Sequence, residues 1–288
     1  MDHLSQLISL ALLEDSGFGD LTAESIFAPG LKAKGIIVAK EPMIIAGLDV
    51  ASKVFKTVDP DAVVDACFDE GDSVSEGDIV IKVNGDVIRM LKAERVALNF
   101  VQRLSGIASL ARLFVKTLGK SRACLTDTRK TTPGMRRIEK AAVRAGGAFN
   151  HRMSLYDGVI IKDNHIAAAG GIKNAVKAVR TRISHLMKIE VETTNMEEVK
   201  EALEAGAEVI MLDNMGIDEM KQAVSYINGR AIVEASGNVT LENLKEIAAT
   251  GVDIISSGAI THQAKAMDLS MRISNSTLYF KKNQRNTG

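Results

Sequence analysis

The chain has no tryptophan, four prolines and only two cysteines in 288 residues. Without tryptophan, the aromatic platforms on which single-stranded nucleic acid stacks are poorly supplied. Cys67 and Cys124 lie far apart in strand-like apolar stretches, which suits a reduced protein better than a disulfide framework. Both are expected in the core of a reduced, cytoplasmic protein. Charge of one sign is also missing, since 36 Lys+Arg face 36 Asp+Glu. No global field recruits nucleic acid or an anionic membrane, and any basic site must be local. No apolar run approaches the ~18 residues of a membrane helix. The apolar stretch from Leu7 to Leu13 follows Asp2 with no Lys or Arg before it, which argues against a signal peptide. What the chain does have is apolar mass, 46% of its residues, over a length of about two domains, so it can bury a substantial core.

Leu4, Leu7, Ile8, Ala11 and Leu12 recur at helical spacing until Asp15, Ser16 and Gly17 interrupt them, and Gly17, Gly19 and Asp20 make a tight turn. From Lys32 to Val83 short strand-like runs alternate with glycines and aspartates, as in a small α+β domain. Within it Glu70-Gly-Asp-Ser-Val and Glu76-Gly-Asp-Ile-Val form a near-repeat, like the paired turns of a lipoyl- or biotinyl-type half-barrel. No lysine stands at a hairpin tip for acylation, so this segment is architecture and not a carrier. Lys92 to Leu110 is predicted as a helix with Arg95, Asn99 and Arg103 in one polar stripe.

From Arg122 onward six short apolar strands alternate with helices. The strands are placed near Ala123 to Thr126, Gly158 to Ile161, Lys188 to Val191, Glu208 to Leu212, Ala231 to Glu234 and Asp253 to Ile255. Such a run implies a parallel sheet closed, or nearly closed, into an α/β barrel with its helices outside. The expected division is residues 1–111 as an amino-terminal α+β half-barrel-like domain, 112–268 as the barrel, and 269–288 as a terminal segment with a polar tail.

Chemistry in such a barrel sits at the carboxyl ends of the strands. Between Thr128 and Arg152 seven Lys/Arg face the single acid Glu139, a strongly cationic stretch in a neutral protein. Arg136, Lys140 and Arg144 share one helical face and are expected to be a solvated stripe. Arg129, Lys130, Arg152 and Lys162 follow strands or lie in glycine-rich loops, so they converge on an acidic ligand, a small polycarboxylate or a phosphorylated substrate. Lys188 and Glu190 point to one side of their strand and are expected to form a buried ion pair. Glu192 and Asp213 end neighbouring strands, where hydrated Mg²⁺ is commonly held against substrate phosphates. Ser236-Gly-Asn and Ser257-Gly precede helix or turn starts that favour phosphate.

These residues resemble quinolinate phosphoribosyltransferases. The resemblance rests on Glu14-Asp-Ser-Gly-Phe-Gly-Asp-Leu-Thr, Glu94-Arg-Val-Ala-Leu-Asn, Arg103-Leu-Ser-Gly-Ile-Ala and Thr128-Arg-Lys-Thr-Thr-Pro-Gly. It continues through Asn150-His-Arg, Leu155-Tyr-Asp, Ile161-Lys-Asp-Asn-His, Glu190-Val-Glu, Asp213-Asn and Ala235-Ser-Gly-Asn. Only Gly146-Gly-Ala departs, where a third glycine is more usual. The resemblance implies a glycosyltransferase of NAD biosynthesis. It would transfer phosphoribosyl from 5-phosphoribosyl 1-diphosphate to quinolinate with decarboxylation, giving nicotinate mononucleotide, CO₂ and diphosphate. Arg103, Arg129, Lys130, His151, Arg152 and Lys162 would hold the quinolinate carboxylates, and Glu192 and Asp213 the Mg²⁺ and ribose. Ser236, Gly237, Asn238, Ser257 and Gly258 would cradle the 5-phosphate, and Lys130, Lys162, Glu192 and Asp213 form the implied catalytic set. It also implies a homodimer with a shared active site, Arg103 entering across the interface, and no nucleic-acid or membrane partner. A related protein associated with molybdate transport has the same fold and another substrate. The intact Lys130-Thr-Thr-Pro-Gly, His151-Arg and Lys162-Asp-Asn-His disfavour it.

Overall fold

The computed structural model describes residues 2–274. The chain divides into two compact units, Met1–Ser109 with Lys265–Gly288, and Leu110–Ala264. In chain order the first contains α1 (His3–Ser16), α2 (Leu21–Ile26), β1 (Lys32–Ala39), β2 (Met43–Ile44), α3 (Leu48–Val58), β3 (Val63–Ala66), β4 (Ser73–Val74) and β5 (Ile79–Asp86). Helix α4 (Val87–Leu118) follows. The second unit then runs β6 (Cys124–Thr126), α5 (Arg136–Ala145), β7 (Val159–Ile161), α6 (Asp163–Ala169), α7 (Ile172–Arg180), β8 (Ile189–Thr193), α8 (Met196–Glu204), β9 (Val209–Asp213), α9 (Ile217–Ile227), β10 (Ile232–Ser236), α10 (Leu244–Ala248), β11 (Ile254–Ser256) and α11 (Ala259–His262). The last strand is β12 (Leu269–Ser274).

In the first unit β12, β1, β5 and β3 form an antiparallel sheet in that order, and β2 pairs with β4. The segment from Leu269, set apart in the sequence reading, is thus the edge strand of the first unit's sheet. Its expected polar tail lies outside the described residues. The near-repeat builds one turn twice. Asp72 and Asp78 accept the N–H groups of Asp69 and Ser75 at 2.9 and 2.8 Å, and the Gly71 and Gly77 N–H groups donate to the carbonyls of Ile45 and Ala39, both at 2.9 Å. The turn at Asp20 proves to be a helix start: its carboxylate caps the Ala23 N–H at 2.9 Å, and Glu24 returns to the Asp20 N–H at 3.2 Å. Helix α2 has only six residues, too few for its apolar periodicity to be read.

Helix α4 is longer than its expected span, and its apolar residues Val96, Leu98, Phe100, Val101, Leu104 and Ala108 are all buried. The motif Arg103-Leu-Ser-Gly-Ile-Ala holds the first unit together. Ser105 Oγ accepts the Ala46 N–H at 3.0 Å and donates to its carbonyl at 3.2 Å, and a Cβ at Gly106 would lie 1.8 Å from the Lys265 carbonyl oxygen.

In the second unit six parallel strands form one sheet in the order β6-β11-β10-β9-β8-β7. The first strand thus sits beside the last, so the chain order runs round a barrel whose β6 and β7 edges are not joined to each other. Phe149 pairs with Thr126 on the free side of β6, donating to the Leu125 carbonyl at 2.9 Å. The longer helices bury an apolar stripe, for example Ile172, Ala175 and Val176 on α7, and Met220, Ala223 and Ile227 on α9, whereas the short α6 buries no residue.

Two expectations about burial fail here. Both cysteines are exposed. Cys67 follows the edge strand β3, which has no neighbour on one side, and Cys124 is the first residue of β6, at its open amino end. Lys140, expected on a solvated stripe, is fully buried against Asp127. Arg144, from the same stripe, is exposed.

Candidate active site

The carboxyl ends of the barrel strands open into a cavity of about 770 Å³, within the range of small-molecule sites. Its wall includes Arg129, Lys130, His151, Arg152, Lys162, Glu192, Asp213, Ser236, Gly237, Asn238, Ser257 and Gly258. Of the residues expected to bind substrate or metal, Arg103 alone is not on this wall; it lies on α4, in the first unit.

Strand geometry places the acids. Glu192 and Asp213 are the fourth residue of β8 and the last of β9, neighbouring parallel strands paired with Glu192 opposite Met211. Asp213 is two residues beyond Met211, so both face the same side, and both line the cavity. Lys162, one residue past β7, forms an ion pair with Glu192. Asp213 Oδ2 accepts a hydrogen bond from Asn214 at 2.9 Å. Lys162 also begins α6, where its N–H donates to His165 Nδ1 at 3.0 Å, so the histidine of Lys162-Asp-Asn-His caps a helix.

The late loops interlock. Asn214 Oδ1 accepts from Asn238 Nδ2 at 2.9 Å, and the Asn214 N–H donates to the Ser236 carbonyl at 3.0 Å. Asn214 and Asn238 both adopt positive φ, and Gly237, at φ 90°, lies so close to Asn214 that a Cβ would stand 2.3 Å from its Oδ1. Only glycine fits there.

His151 and Arg152 are positioned by a buried polar anchor. The Asp127 carboxylate, just past β6, accepts the His151 N–H at 2.8 Å and Asn150 Nδ2 at 2.7 Å, while Lys140 bonds both Asp127 and, at 3.0 Å, the His151 carbonyl. Burial raises the Asp127 pKa; Lys140 and the other donors oppose it. Arg136, also expected in the solvated stripe, instead turns to the cavity wall, its guanidinium donating to Thr131 Oγ1 at 3.0 Å and to the Met153 carbonyl at 3.3 Å.

The expected Lys188–Glu190 pair does not form, because Lys188 is exposed at the amino end of β8. Glu190 instead approaches His151 Nε2 at 3.4 Å, as does Glu234 from β10, also at 3.4 Å. Burial disfavours a charged imidazole here, but the two carboxylates outweigh it and push its pKa up to about 10. His151 Nδ1 accepts the Arg152 N–H at 2.8 Å, a bond that a second ring proton would displace. Burial, together with the neighbouring Glu234, raises the Glu190 pKa. Burial and the charge of Arg129 lower that of Arg152, whose guanidinium donates to the Gly158 carbonyl at 2.8 Å.

The wall also contains residues without any signal noted in the sequence, among them Thr240, His262 and Gln263. His262 stands one helical turn beyond Gly258, a spacing that could have drawn attention to it. The others carry no signal that separates them from ordinary loop residues.

A parallel α/β barrel with a mouth cavity walled by cations, two acids and glycine loops defines an enzyme of small polyanionic substrates. Family models described as the amino- and carboxy-terminal domains of quinolinate phosphoribosyl transferase match residues 20–105 and 107–272. The chain belongs to the quinolinate phosphoribosyltransferase family. It is 46% identical over 289 residues to the chloroplastic nicotinate-nucleotide pyrophosphorylase (carboxylating) of Arabidopsis thaliana, covering 94% of this chain and 82% of that protein. Identity to the probable nicotinate-nucleotide pyrophosphorylase (carboxylating) of Bacillus subtilis is 43% over 275 residues and 95% of each chain. The solved structure of NadC from Streptococcus pyogenes superposes with a TM-score of 0.89 at 40% identity, covering 93% of this chain and 95% of that one.

Proposed function

We infer that this chain transfers the phosphoribosyl group of 5-phosphoribosyl 1-diphosphate to the ring nitrogen of quinolinate. The 2-carboxylate is lost as CO₂, and nicotinate mononucleotide and diphosphate are formed, a step of NAD biosynthesis. The observation that carries this reading is the meeting of Arg129, Lys130, Arg152 and Lys162 with Glu192 and Asp213 on one cavity wall. Full-length similarity to proteins named for this activity supports it.

In this reading the cations on the early strands clamp the two substrate carboxylates, Arg by paired N–H donors and Lys as a point charge. The loops at Ser236–Asn238 and Ser257–Gly258 receive the 5-phosphate. Glu192 and Asp213 stabilise positive charge as it develops on the ribose ring. Lys162 holds Glu192 in place until substrate competes for the lysine. Once the ring nitrogen is bonded to ribose, its positive charge stabilises the electron pair that departing CO₂ leaves on C2, and a proton from water then takes the place of the lost carboxylate. The protein's part is to orient and desolvate the leaving carboxylate.

Glu192 and Asp213 suit hydrated Mg²⁺, which takes one or two carboxylates and completes its shell with water and substrate phosphates. Asp213 has one oxygen bonded to Asn214 and its other on no protein donor among the described residues, leaving room for such a role. When bound, Mg²⁺ would neutralise the leaving diphosphate.

The working unit would be a homodimer with a shared site, in which Arg103 reaches quinolinate from the second subunit. Its support is that every other expected carboxylate ligand lines the cavity of the second unit while Arg103 does not. No helix among the described residues is long and apolar enough to cross a membrane. The two exposed free cysteines favour a reducing, cytoplasmic setting.

The test is turnover of quinolinate labelled in its 2-carboxylate. Label leaves as CO₂ when protein, Mg²⁺ and the ribose diphosphate are all present and stays put when any is omitted. Retention of label in the complete mixture would sink the reading.

A further inference from the structure

Along β8 and β10 inward-facing residues alternate, and each strand places a second residue two positions before its cavity residue: Glu190 before Glu192, Glu234 before Ser236. Glu192 and Ser236 line the cavity; Glu190 and Glu234 do not. They form a deeper layer, where parallel barrels ordinarily pack branched apolar side chains.

Both are nine-tenths or more buried, at 7% and 1% exposure. Glu190 Oε1 and Glu234 Oε1 make no hydrogen bond among the described residues. The two carboxylates share one neighbour, His151 Nε2, 3.4 Å from Glu190 Oε2 and from Glu234 Oε1, so the imidazole bridges two strands that are not adjacent in the sheet. The other ring nitrogen accepts the backbone N–H of Arg152, whose side chain lines the cavity. Two buried carboxylates with unsatisfied oxygens are a poor way to fill a core and a direct way to orient the ring N–H that stands between them.

We propose that Glu234, together with Glu190, is a positioning residue for the quinolinate half of the cavity, acting through His151 on the segment that carries Arg152. This rests on the functional reading above. Neither acid touches substrate: each stands one layer below the floor, fixing the plane of the His151 ring and, through its Nδ1, the backbone of Arg152. The ribose side, at Asp213, Asn214 and Ser236–Asn238, shares no hydrogen bond with this layer among the described residues.

The test uses Glu234→Gln, which keeps shape and removes charge, alone and combined with His151→Gln, in the full chain. Glu234→Gln should raise KM for quinolinate about ten-fold, the size of one charge-assisted bond. It should leave KM for the ribose diphosphate and the thermal midpoint close to wild type. In the His151→Gln background the same change should do nothing further, because its effect passes through the missing ring. Wild-type KM for quinolinate in Glu234→Gln, or the same increment with and without His151, overturns the proposal. A general loss of stability with both KM values rising together overturns it in favour of a packing role. The imidazole NMR signal of His151 in substrate-free protein, assigned by its loss in His151→Gln, provides a readout independent of turnover. It should shift in Glu234→Gln, and an unmoved signal refutes the contact even if the wild-type protein leaves quinolinate untouched. Wild-type failure with a shifted signal would break only the functional reading.

Discussion

In the first unit the buried acids are fully employed by backbone. Asp59 accepts the Asp86 N–H at 2.9 Å and pairs with Arg89 at 3.2 Å, and Asp86 in turn accepts the N–H groups of Gly30 and Arg89 at 2.9 and 3.0 Å. The exposed Glu70 is employed in the same way: its carboxylate caps the start of α3, taking the Gly47 and Leu48 N–H groups at 2.8 and 2.7 Å. In the second unit Asp127 is likewise satisfied, but Glu190 and Glu234 retain oxygens without a hydrogen bond. The difference separates two uses of a costly group. Where a carboxylate closes turns and caps helices, its charge is consumed by architecture; where it is left partly unsatisfied beside a cavity, its field acts on neighbouring side chains.

Lys140→Met is the hardest test of that division. It leaves Asp127 buried without its cation, and loss of one partner of such a pair costs about 3–5 kcal/mol. Thermal or urea unfolding should show the second unit strongly destabilised; an unchanged midpoint would mean that Asp127 is not charged in the fold. Next in size is Lys162→Ala, which removes charge-assisted bonds worth roughly 1.5–3 kcal/mol and should lower kcat/KM by about one to two decades with little effect on stability. Wild-type kinetics would remove Lys162 from the site.

The first unit supplies a smaller, pH-dependent effect. Burial raises the Asp59 pKa, but its backbone and Arg89 bonds outweigh that and hold it below the ordinary 3.8. Its contribution, about 1 kcal/mol, is therefore present above that value and lost as pH falls through the lowered folded pKa. Asp59→Asn should flatten the acid limb of the stability profile without changing kcat/KM at neutral pH. Smallest of all is Lys53→Ala: its pair with Asp2 at 3.0 Å is exposed, and the unfolding midpoint should stay close to wild type. A larger effect would blur the contrast between surface pairs and the anchor at Lys140.

The alternation of short strands and helices made the barrel legible, because each βα unit carries its own period and its own stop. Glu192, Asp213 and Lys162 were legible for the same reason: they stand at strand ends, and the topology of a parallel sheet brings strand ends together. Lys140 was misread because helical spacing groups Arg136, Lys140 and Arg144 on one side but does not say what that side meets. In the fold Arg136 meets the cavity, Lys140 meets Asp127, and only Arg144 meets water. Glu190 was assigned to Lys188 because the two are neighbours on one strand face. Its actual neighbour, His151, lies 39 positions away on a segment with no regular structure.

By itself, then, the sequence determined the order of the elements, the sign of the charge near the barrel mouth and the residues at the strand ends, all of which follow from local period and spacing. Tertiary structure alone decided which buried acid meets which cation and which cations are withdrawn from solvent. Those pairings depend on distances between segments far apart in the chain, and no local pattern encodes them.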